Sequence, residues 1–276
     1  MLVCCDDASD DGTADILKRH AAEDERVVLR RSGSRLGLIG NWRRTFATAR
    51  ELAPDARYFA WASDHDVWHP QWLERLVDRL ETHPEAVLAY PLNVGVDDDG
   101  ATVREPWRFD TVGIRDTRRR LEASVRGMVP GSMVYGLYRA EPLARCGVYR
   151  PVLVPDRLLL SELALFGEFH QVPEVLWSRR YREGTRVSAR RQRSAFFPRG
   201  APAYAYLPWP LTHTAVIGWD LVIRGAGRPR YGRVTGAAVT AWYLGRASAL
   251  AAYRRARTIG HHVKRRIAPR GGRAAG

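Results

Sequence analysis

Cysteine and lysine are both scarce in this sequence. The three cysteines, Cys4, Cys5 and Cys146, show no metal-binding spacing, so we expect them to be small core residues in a reducing compartment. Lys18 and Lys264 are the only lysines among 44 basic residues. The preference for arginine fits phosphate recognition, because the guanidinium fork matches phosphate oxygens, but it fits a GC-rich genome equally well.

Long apolar runs are also missing. The best candidate for a membrane span, residues 234–253, is interrupted by Arg246, so no span is expected. The 276 residues are otherwise 45% hydrophobic and 27% charged, with a net charge of +14, which is typical of a globular protein. We therefore expect one main domain, located in the cytoplasm.

Short apolar runs alternate with helical patterns along the first 90 residues. The helical patterns contain periodic apolar residues such as Leu76 and Leu80. The predicted strands are residues 2–5, 26–30, 58–62 and 86–90. Strands that alternate with helices in this way predict an α/β fold with a doubly wound, mostly parallel sheet. In such sheets ligands bind at the carboxyl ends of the strands.

Acidic residues occupy two of those strand ends. Asp6 and Asp7 follow the first predicted strand, and Asp64 and Asp66 follow the third. Two carboxylates separated by one residue offer the oxygen ligands that a divalent cation prefers, and they leave positions open for a phosphate-bearing substrate. The alternative for each pair is structural, as a solvated turn or a helix cap. Asp156, at the start of a later predicted helix, has the same alternative.

Several segments resemble one enzyme family when they are taken together and in order. They are "DDASDDGTADIL", "SRLGLIGNW", "YFAWASDHDVWHPQWLERL", "GLYRAEPLARCGVY" and "PDRLLLSELALFGEFHQVPEVLWSRR". This combination resembles the family 2 glycosyltransferases of GT-A fold over roughly residues 1–185. The resemblance implies a GT-A-like α/β sheet, which this chain would follow with a basic helical C-terminal extension.

The resemblance implies donor-binding roles for the two acidic clusters. Asp7 matches the aspartate that contacts the nucleobase of the sugar nucleotide, and Asp6 stands beside it. Asp64 and Asp66 match the region that coordinates Mg²⁺ or Mn²⁺ and, through the ion, the donor diphosphate. His65 occupies a position where many relatives have another aspartate, so it is a further candidate metal ligand.

The resemblance also implies the reaction. Asp156 matches the acceptor-side aspartate that acts as general base, and Arg180 and Arg182 fall where the family often places basic groups near the diphosphate. The implied activity moves a sugar from a nucleoside diphosphate sugar to a hydroxyl acceptor with inversion, in polysaccharide or glycoconjugate assembly. The implied donor is a UDP- or dTDP-sugar, and the implied acceptor is a saccharide or a lipid-linked molecule.

The resemblance also predicts a strand and a helix before residues 2–5. We expect the true start to lie upstream of Met1, because the candidate site residues are intact. The alternatives are a fragment with impaired nucleotide binding or a catalytically impaired scaffold. Without the extra strand, the strand at residues 2–5 is expected to have an open edge.

Three regions are predicted. They are a nucleotide-sugar-binding half (1–95), an acceptor-binding half (96–187) and a basic linker with a helical extension (188–276). From Arg254 to Arg273 there are eight basic residues and no acid. The end of the chain is either a core-packing helix with a solvated tail or a peripheral attachment to the anionic inner face of a membrane. A basic nucleic-acid-binding protein is a further alternative, but no zinc pattern or recognition helix supports it.

Overall fold

The structure is a computed structural model that describes residues 1–180, 188–224 and 233–267. Beyond residue 256 the last helix is described by its backbone. Arg182, one of the predicted site residues, lies outside the described ranges.

The first two strands form a small parallel pair. Strand β1 (Leu2–Asp6) runs alongside β2 (Val27–Arg31), with helix α1 (Thr13–Glu23) between them in the chain and α2 (Gly37–Leu52) after them. The side-chain amide of Asn41 in α2 donates a hydrogen bond to the carbonyl of Cys5 (2.8 Å), which ties this helix to β1. The predicted strand, loop and helix at the start of the chain are therefore present.

Six further strands form the main sheet in the order β3, β7, β5, β8, β4, with β6 paired to β5. Their bounds are β3 (Tyr58–Ala60), β4 (Val67–Trp68), β5 (Ala86–Val96), β6 (Thr102–Arg104), β7 (Leu137–Arg139) and β8 (Glu168–Arg180). The helices of this part are α3 (Trp72–Thr82), α4 (Thr117–Gly127), α5 (Pro130–Met133), α6 (Ala140–Arg145) and α7 (Pro155–Leu163).

The predicted α/β class is confirmed, although the strand directions are more mixed than expected. The two long pairs, β1 with β2 and β5 with β8, are parallel. The four short pairs, which involve β3, β4, β6 and β7, are antiparallel. An apolar run predicts a strand but not its direction, and a short strand can pair antiparallel without the long crossover that a parallel pair requires.

Both sheets have open strand edges. Within the described part of the chain, β1 and β2 pair only with each other, β3 pairs with β7 alone and β4 pairs with β8 alone. Each of these four strands therefore has one edge without a partner strand among those residues. The strand predicted upstream of β1 stays a prediction.

The core lies on both faces of β5. Leu76 and Leu80 of α3, four residues apart on one helical face, cluster with Ala86 and Ala89. The larger cluster contains Leu88 of β5 together with apolar residues of α7. Burial on both faces explains why β5 is a continuous apolar run rather than an alternating pattern.

The region from residue 188 was predicted as a basic linker followed by a helical extension, and its described residues are helical in the linker part as well. It contains α8 (Ala189–Phe196), a 3₁₀ turn (Ala203–Tyr206), α9 (Trp209–Gly218), a π-helical turn (Trp219–Arg224) and α10 (Arg233–Ile267), the last of which agrees with the predicted helical extension. Of the prolines that suggested a linker, Pro208 and Pro210 stand at the start of α9, where a missing N–H is tolerated. The predicted domain boundaries themselves stay a prediction.

The first half of α10 packs into the core. Val239, Tyr243 and Ala247, spaced by four residues, are buried in the larger cluster. This supports the core-packing alternative for that stretch. Among the described residues, no helix is both long enough and apolar enough to cross a membrane.

Candidate active site

The two aspartates of the Asp64-His65-Asp66 loop lie in different environments. The Asp66 side chain is 1% exposed, and its Oδ1 accepts a hydrogen bond from the backbone N–H of Arg180 at 3.0 Å. The Asp64 side chain is 99% exposed. The loop follows β3 and leads into β4, which pairs with the end of β8, so β8 holds Asp66 in place. The site is therefore built around Asp66, with Asp64 at its solvent edge.

His65 bridges the two carboxylates. Its Nδ1 lies 2.9 Å from Asp64 Oδ1, and its Nε2 lies 3.9 Å from Asp66 Oδ1. The imidazole also lies 3.1 Å from the Ser63 hydroxyl. The imidazole therefore lies between the two carboxylates, although the ligand atoms of the three residues are not all within 4.8 Å of one another.

Asp66 carries the strongest indication of a cation site. Its Oδ2 is buried and has no hydrogen-bond partner among the described residues. A buried carboxylate oxygen without a partner is unfavourable, because it has lost its hydration and gained nothing in exchange. Carboxylate oxygens are preferred ligands of Mg²⁺ and Mn²⁺, and the neighbouring Asp64 carboxylate and His65 imidazole are further donors. The residues present therefore fit a divalent cation.

Asp156 lies in the first turn of α7, as predicted. Its Oδ1 accepts a hydrogen bond from the backbone N–H of Arg157 at 2.8 Å. Val154, just before the helix, has φ of 55° and ψ of 48°, a left-handed conformation that β-branched residues rarely adopt. Such strain persists where the surrounding structure enforces it, often at functional sites. The strained residue stands two positions before Asp156.

Tyr135 lies within electrostatic range of Asp156 and of the Asp64–Asp66 loop. The pKa of its phenol is raised to about 12, mainly by burial, while Arg179 lowers it and the carboxylates of Asp66, Asp156 and Asp64 raise it. All three carboxylates therefore act on one phenol. Burial raises the pKa of Tyr149, and Asp156 raises it further.

Aromatic side chains pack around Tyr135. Trp68 of β4 and Trp177 of β8 stack with their ring centroids 5.1 Å apart and their planes at 6°. The Tyr135 ring meets Trp177 edge-on at 5.1 Å. Rigid aromatic packing of this kind fixes the Tyr135 side chain among the carboxylates.

Two arginines at the end of β8 follow Trp177 in the chain. The Arg180 backbone holds Asp66, as described above, and the Arg180 residue is exposed. The Arg179 guanidinium lies 5.9 Å from the centre of the Trp177 ring and donates a hydrogen bond to the Gly131 carbonyl at 3.0 Å. Arg180 is thus placed beside Asp66, and its predicted role near the donor diphosphate stays a prediction.

Asp6 and Asp7 lie at the end of β1 and have structural partners. Asp7 accepts hydrogen bonds from the backbone N–H groups of Leu36 (2.7 Å) and Gly37 (2.9 Å), which caps the start of α2. Asp6 is buried, accepts from the Ser9 backbone and lies 3.1 Å from the Arg31 guanidinium. These contacts match the structural alternative stated for the pair.

The two acidic clusters remain separate in the described residues. Neither Asp6 nor Asp7 contacts Asp64, Asp66 or Asp156 there. The carboxylates that converge come from the β3–β4 loop and from α7. The role of Asp6 and Asp7 in nucleotide binding therefore stays a prediction.

A second cluster of metal-ligating side chains lies away from this site. His170 Nε2 is 3.1 Å from Glu168 Oε2 and 3.9 Å from Glu85 Oε1. Glu168 begins β8 and Glu85 precedes β5, so the cluster lies at the amino ends of the parallel pair. Asp66 is held at the carboxyl end of β8. The Glu85, Glu168 and His170 group is consequently distinct from the site predicted at Asp64–Asp66.

Sequence reasoning missed four side chains of the site. They are Trp68, Tyr135, Trp177 and Arg179. Trp68, Trp177 and Arg179 have a local signal, since each occurs within a segment used for the family resemblance. Tyr135 is only adjacent to such a segment, and its environment depends on distant parts of the chain.

Comparison with known proteins identifies the family. The model of the family described as "Glycosyl transferase family 2" matches residues 2–143, a little more than half of the chain. The chain belongs to this family. The match contains the Asp6–Asp7 and Asp64–Asp66 clusters and ends before Asp156 and Arg180. Together with the mixed sheet, the family membership confirms the GT-A-like α/β class.

Two solved structures show more limited similarity. One is titled mannosyltransferase PcManGT from Pyrobaculum calidifontis in complex with GDP-Man and Mn²⁺, with 18% identity, a TM-score of 0.48 and coverage of 90% of this chain and 76% of that one. The other is titled GalNAc-T7 with UDP, GalNAc and Mn²⁺, with 17% identity, a TM-score of 0.45 and coverage of 66% and 38%. The search of curated proteins found no match.

Proposed function

We propose that this glycosyltransferase moves a sugar from a nucleoside diphosphate sugar to a hydroxyl acceptor with inversion at the anomeric carbon. The observation that carries the proposal is the convergence of Asp66, Asp64 and Asp156 on Tyr135, with one buried oxygen of Asp66 left without a partner. Family membership supplies the reaction class, and the convergent carboxylates supply two of the functions that such a transfer requires.

Asp156 is proposed as the general base. A sugar hydroxyl is a weak nucleophile, so a positioned carboxylate must accept its proton as the oxygen attacks the anomeric carbon. Inversion follows when the attack comes from the face opposite the leaving group. Asp156 stands in the first turn of α7, where the helix dipole favours a negative charge.

Asp66, Asp64 and His65 are proposed to hold Mg²⁺ or Mn²⁺. The bound ion would stabilise the negative charge that develops on the departing nucleoside diphosphate. Asp66 offers a buried and preorganised oxygen, while Asp64 and His65 offer ligands at the solvent side. Arg180, and Arg182 outside the described residues, are proposed to contact the diphosphate. Asp6 and Asp7 are proposed to bind the nucleotide.

The finer features of the substrate follow from the resemblance. We propose a UDP- or dTDP-sugar as donor, with a hexosyl or deoxyhexosyl group, and a saccharide or lipid-linked acceptor in polysaccharide or glycoconjugate assembly of the cell envelope. We further propose that the enzyme acts in the cytoplasm at the inner face of the membrane, where a lipid-linked acceptor is accessible.

The proposed roles are tested by separating donor binding from transfer. Asp156→Asn should lower transfer by a factor of about 10³, because general-base catalysis contributes about 10²–10⁴, while a donor-induced thermal shift with Mn²⁺ persists. Asp78→Asn, which neutralises an exposed carboxylate on α3, is the matched control and should transfer normally. Full transfer by Asp156→Asn would exclude the general-base role, and loss of the thermal shift would indicate a donor-binding role instead.

A further inference from the structure

Helix α9 and the π-helical turn after it form an apolar helical segment with one buried and one exposed face. The sequence from Trp209 to Ile223 is apolar around most of its circumference, a composition that normally indicates a helix buried on all sides. One face is indeed buried, through His213, Ile217 and Leu221. The other side of this segment is an apolar face without a packing partner among the described residues.

The opposite face is exposed. Leu211 is 47% exposed, Trp219 is 55% exposed and Ile223 is 57% exposed, and Ala215 between them is exposed as well. These exposed residues are four positions apart. Four residues are slightly more than one turn of an α-helix and less than one turn of the wider π-helix. The π-helical turn therefore brings Ile223 back towards the line of Leu211. We call Leu211, Ala215, Trp219 and Ile223 the α9 face.

Further exposed apolar and basic side chains lie next to the α9 face along the chain. Leu207 and Tyr206, just before α9, are exposed. The Arg193 guanidinium of α8 lies 4.8 Å from the centre of the Tyr206 ring, which places a positive charge at this apolar surface. Arg224, at the end of the π-helical turn, is exposed too.

The charge of the molecule is concentrated in this region. Residues 188–276 contain 17 basic residues and one acid, a net charge of +16, whereas residues 1–187 contain 27 basic residues and 29 acids, a net charge of −2. The single acid, Asp220, is buried and lies 3.5 Å from Arg150 and 3.4 Å from Arg224. The α9 face is therefore apolar, Arg193 and Arg224 are the basic side chains described next to it, and the single carboxylate of the region, Asp220, is buried.

We propose that the α9 face docks on an anionic lipid bilayer. Aliphatic and aromatic side chains framed by arginines suit the boundary between headgroups and acyl chains, where the apolar part inserts and the positive part meets anionic headgroups. If two copies of this chain associated through this surface, two regions with a net charge of +16 each would face one another. Charge repulsion therefore opposes self-association through it. The helix lies on the bilayer, since no described helix is suited to cross it.

The buried face of the same helix leads to the candidate active site. His213 Nε2 lies 2.9 Å from the Leu153 carbonyl, and Leu153 is three residues before Asp156. α9 therefore lies between the proposed bilayer surface and the chain segment that positions Asp156. A docked enzyme would hold its acceptor side close to the membrane.

The test is co-sedimentation of the full chain with vesicles, which does not depend on transfer activity. One set contains phosphatidylcholine alone and the other contains phosphatidylcholine mixed with phosphatidylglycerol. We expect sedimentation with the anionic set only, and at least about a tenfold weaker partition for Trp219→Ser combined with Ile223→Ser, because two large apolar groups are lost from the membrane-bound state. Ile16→Ser combined with Leu73→Ser removes similarly exposed groups elsewhere and should bind normally.

Each other outcome contradicts the proposal in a specific way. If the Trp219/Ile223 double variant still binds anionic vesicles as the unmodified chain does, the basic residues alone are responsible for attachment. Absence of vesicle binding together with a dimer in solution would assign the α9 face to a second copy. Equal binding to both vesicle sets would remove the role of charge. Unchanged thermal unfolding of the variants shows that they fold, and a donor-induced thermal shift with Mn²⁺ on the same samples reports on the proposed activity separately.

Discussion

Residues 1–187 and residues 188–276 share one core cluster but differ sharply in charge. Both regions are helical in part and both contribute to the larger core cluster, yet the first carries −2 and the second +16. The converging carboxylates all belong to the first region, and the apolar and basic α9 face belongs to the second. The difference fits the two proposals made above, in which the first region carries the chemistry and the second attaches the enzyme to a membrane.

The largest expected effect comes from the buried carboxylate of the first region. Asp66→Asn keeps the shape of the side chain but removes its charge, so transfer should fall by about 10³ or more, in the range found when a group that stabilises transition-state charge is lost. Asp64→Asn should have a smaller effect, because the Asp64 side chain is exposed. Titration of activity with Mn²⁺ measures both.

The same variants test the comparison between the regions. Vesicle binding by Asp66→Asn should equal that of the unmodified chain. A change in vesicle binding would show that the two regions are coupled. Equal losses of transfer in Asp64→Asn and Asp66→Asn would show that burial does not distinguish the two ligands.

A glycine at the contact between the regions should have the next largest effect. Gly37 begins α2 with φ of +79°, and a Cβ there would overlap Pro198 and lie 2.8 Å from the carbonyl oxygens of Ala195 and Phe196. Gly37→Ala therefore combines left-handed strain with overpacking, and it should lower the free energy of unfolding by about 3 kcal/mol. Urea denaturation measures the change.

A substitution at a second glycine is the control for that experiment. A Cβ at Gly33 would meet no atom within 4 Å, and Gly33 has no positive φ, so Gly33→Ala should be nearly neutral. Equal stability of the two variants would show that α8 does not pack on the start of α2 in solution.

A buried histidine between the regions should make stability depend on pH. Burial lowers the pKa of His213 to about 4, below its ordinary value of 6.5. Between those values the unfolded chain binds the proton more readily than the folded chain, so stability falls as the pH falls. From pH 7.5 to pH 5 this difference amounts to about 2 kcal/mol.

His213→Gln isolates the histidine contribution, because the amide can still donate to the Leu153 carbonyl but does not titrate in this range. The variant should lose less stability on acidification than the unmodified chain, as measured by urea denaturation at both pH values. The variant is needed because burial also raises the pKa of Glu162. A raised carboxyl pKa increases the stability of the folded chain as the pH falls, which opposes the effect of His213. Identical pH dependence in the two proteins would show that His213 is solvated in solution.

The parts of the site that sequence analysis predicted are those with local patterns. The Asp64–Asp66 loop follows an apolar run, and Asp156 begins a helix, so both positions are visible in a short window of sequence. The unequal burial of Asp64 and Asp66 is not visible there, because it depends on a backbone N–H that comes from Arg180, 114 positions later. The position of Tyr135 among three carboxylates depends on distant contacts in the same way.

The extension shows the same limit. Its prolines and arginines suggested a linker, and the apolar residues of α9 and the following turn indicate a packed helix only once the burial of Ile217 and Leu221 is known. Strand direction was also beyond the sequence, because an apolar run of three residues is compatible with either direction. Local patterns therefore predicted the elements, and contacts between distant residues decided their environment.

The smallest expected effect compares one charge from each region. Arg193→Ala removes a guanidinium beside the exposed Tyr206 ring, and Arg19→Ala removes an exposed one from α1. A basic residue near an anionic surface contributes about 1 kcal/mol, so Arg193→Ala should weaken partition to anionic vesicles about fivefold, while Arg19→Ala should leave it unchanged. Equal effects of the two variants would mean that the vesicles sense the total charge of +14 and not its position. Since screening acts on exposed charges, the difference between the variants should shrink as salt is raised, whereas the loss caused by Trp219→Ser with Ile223→Ser should persist.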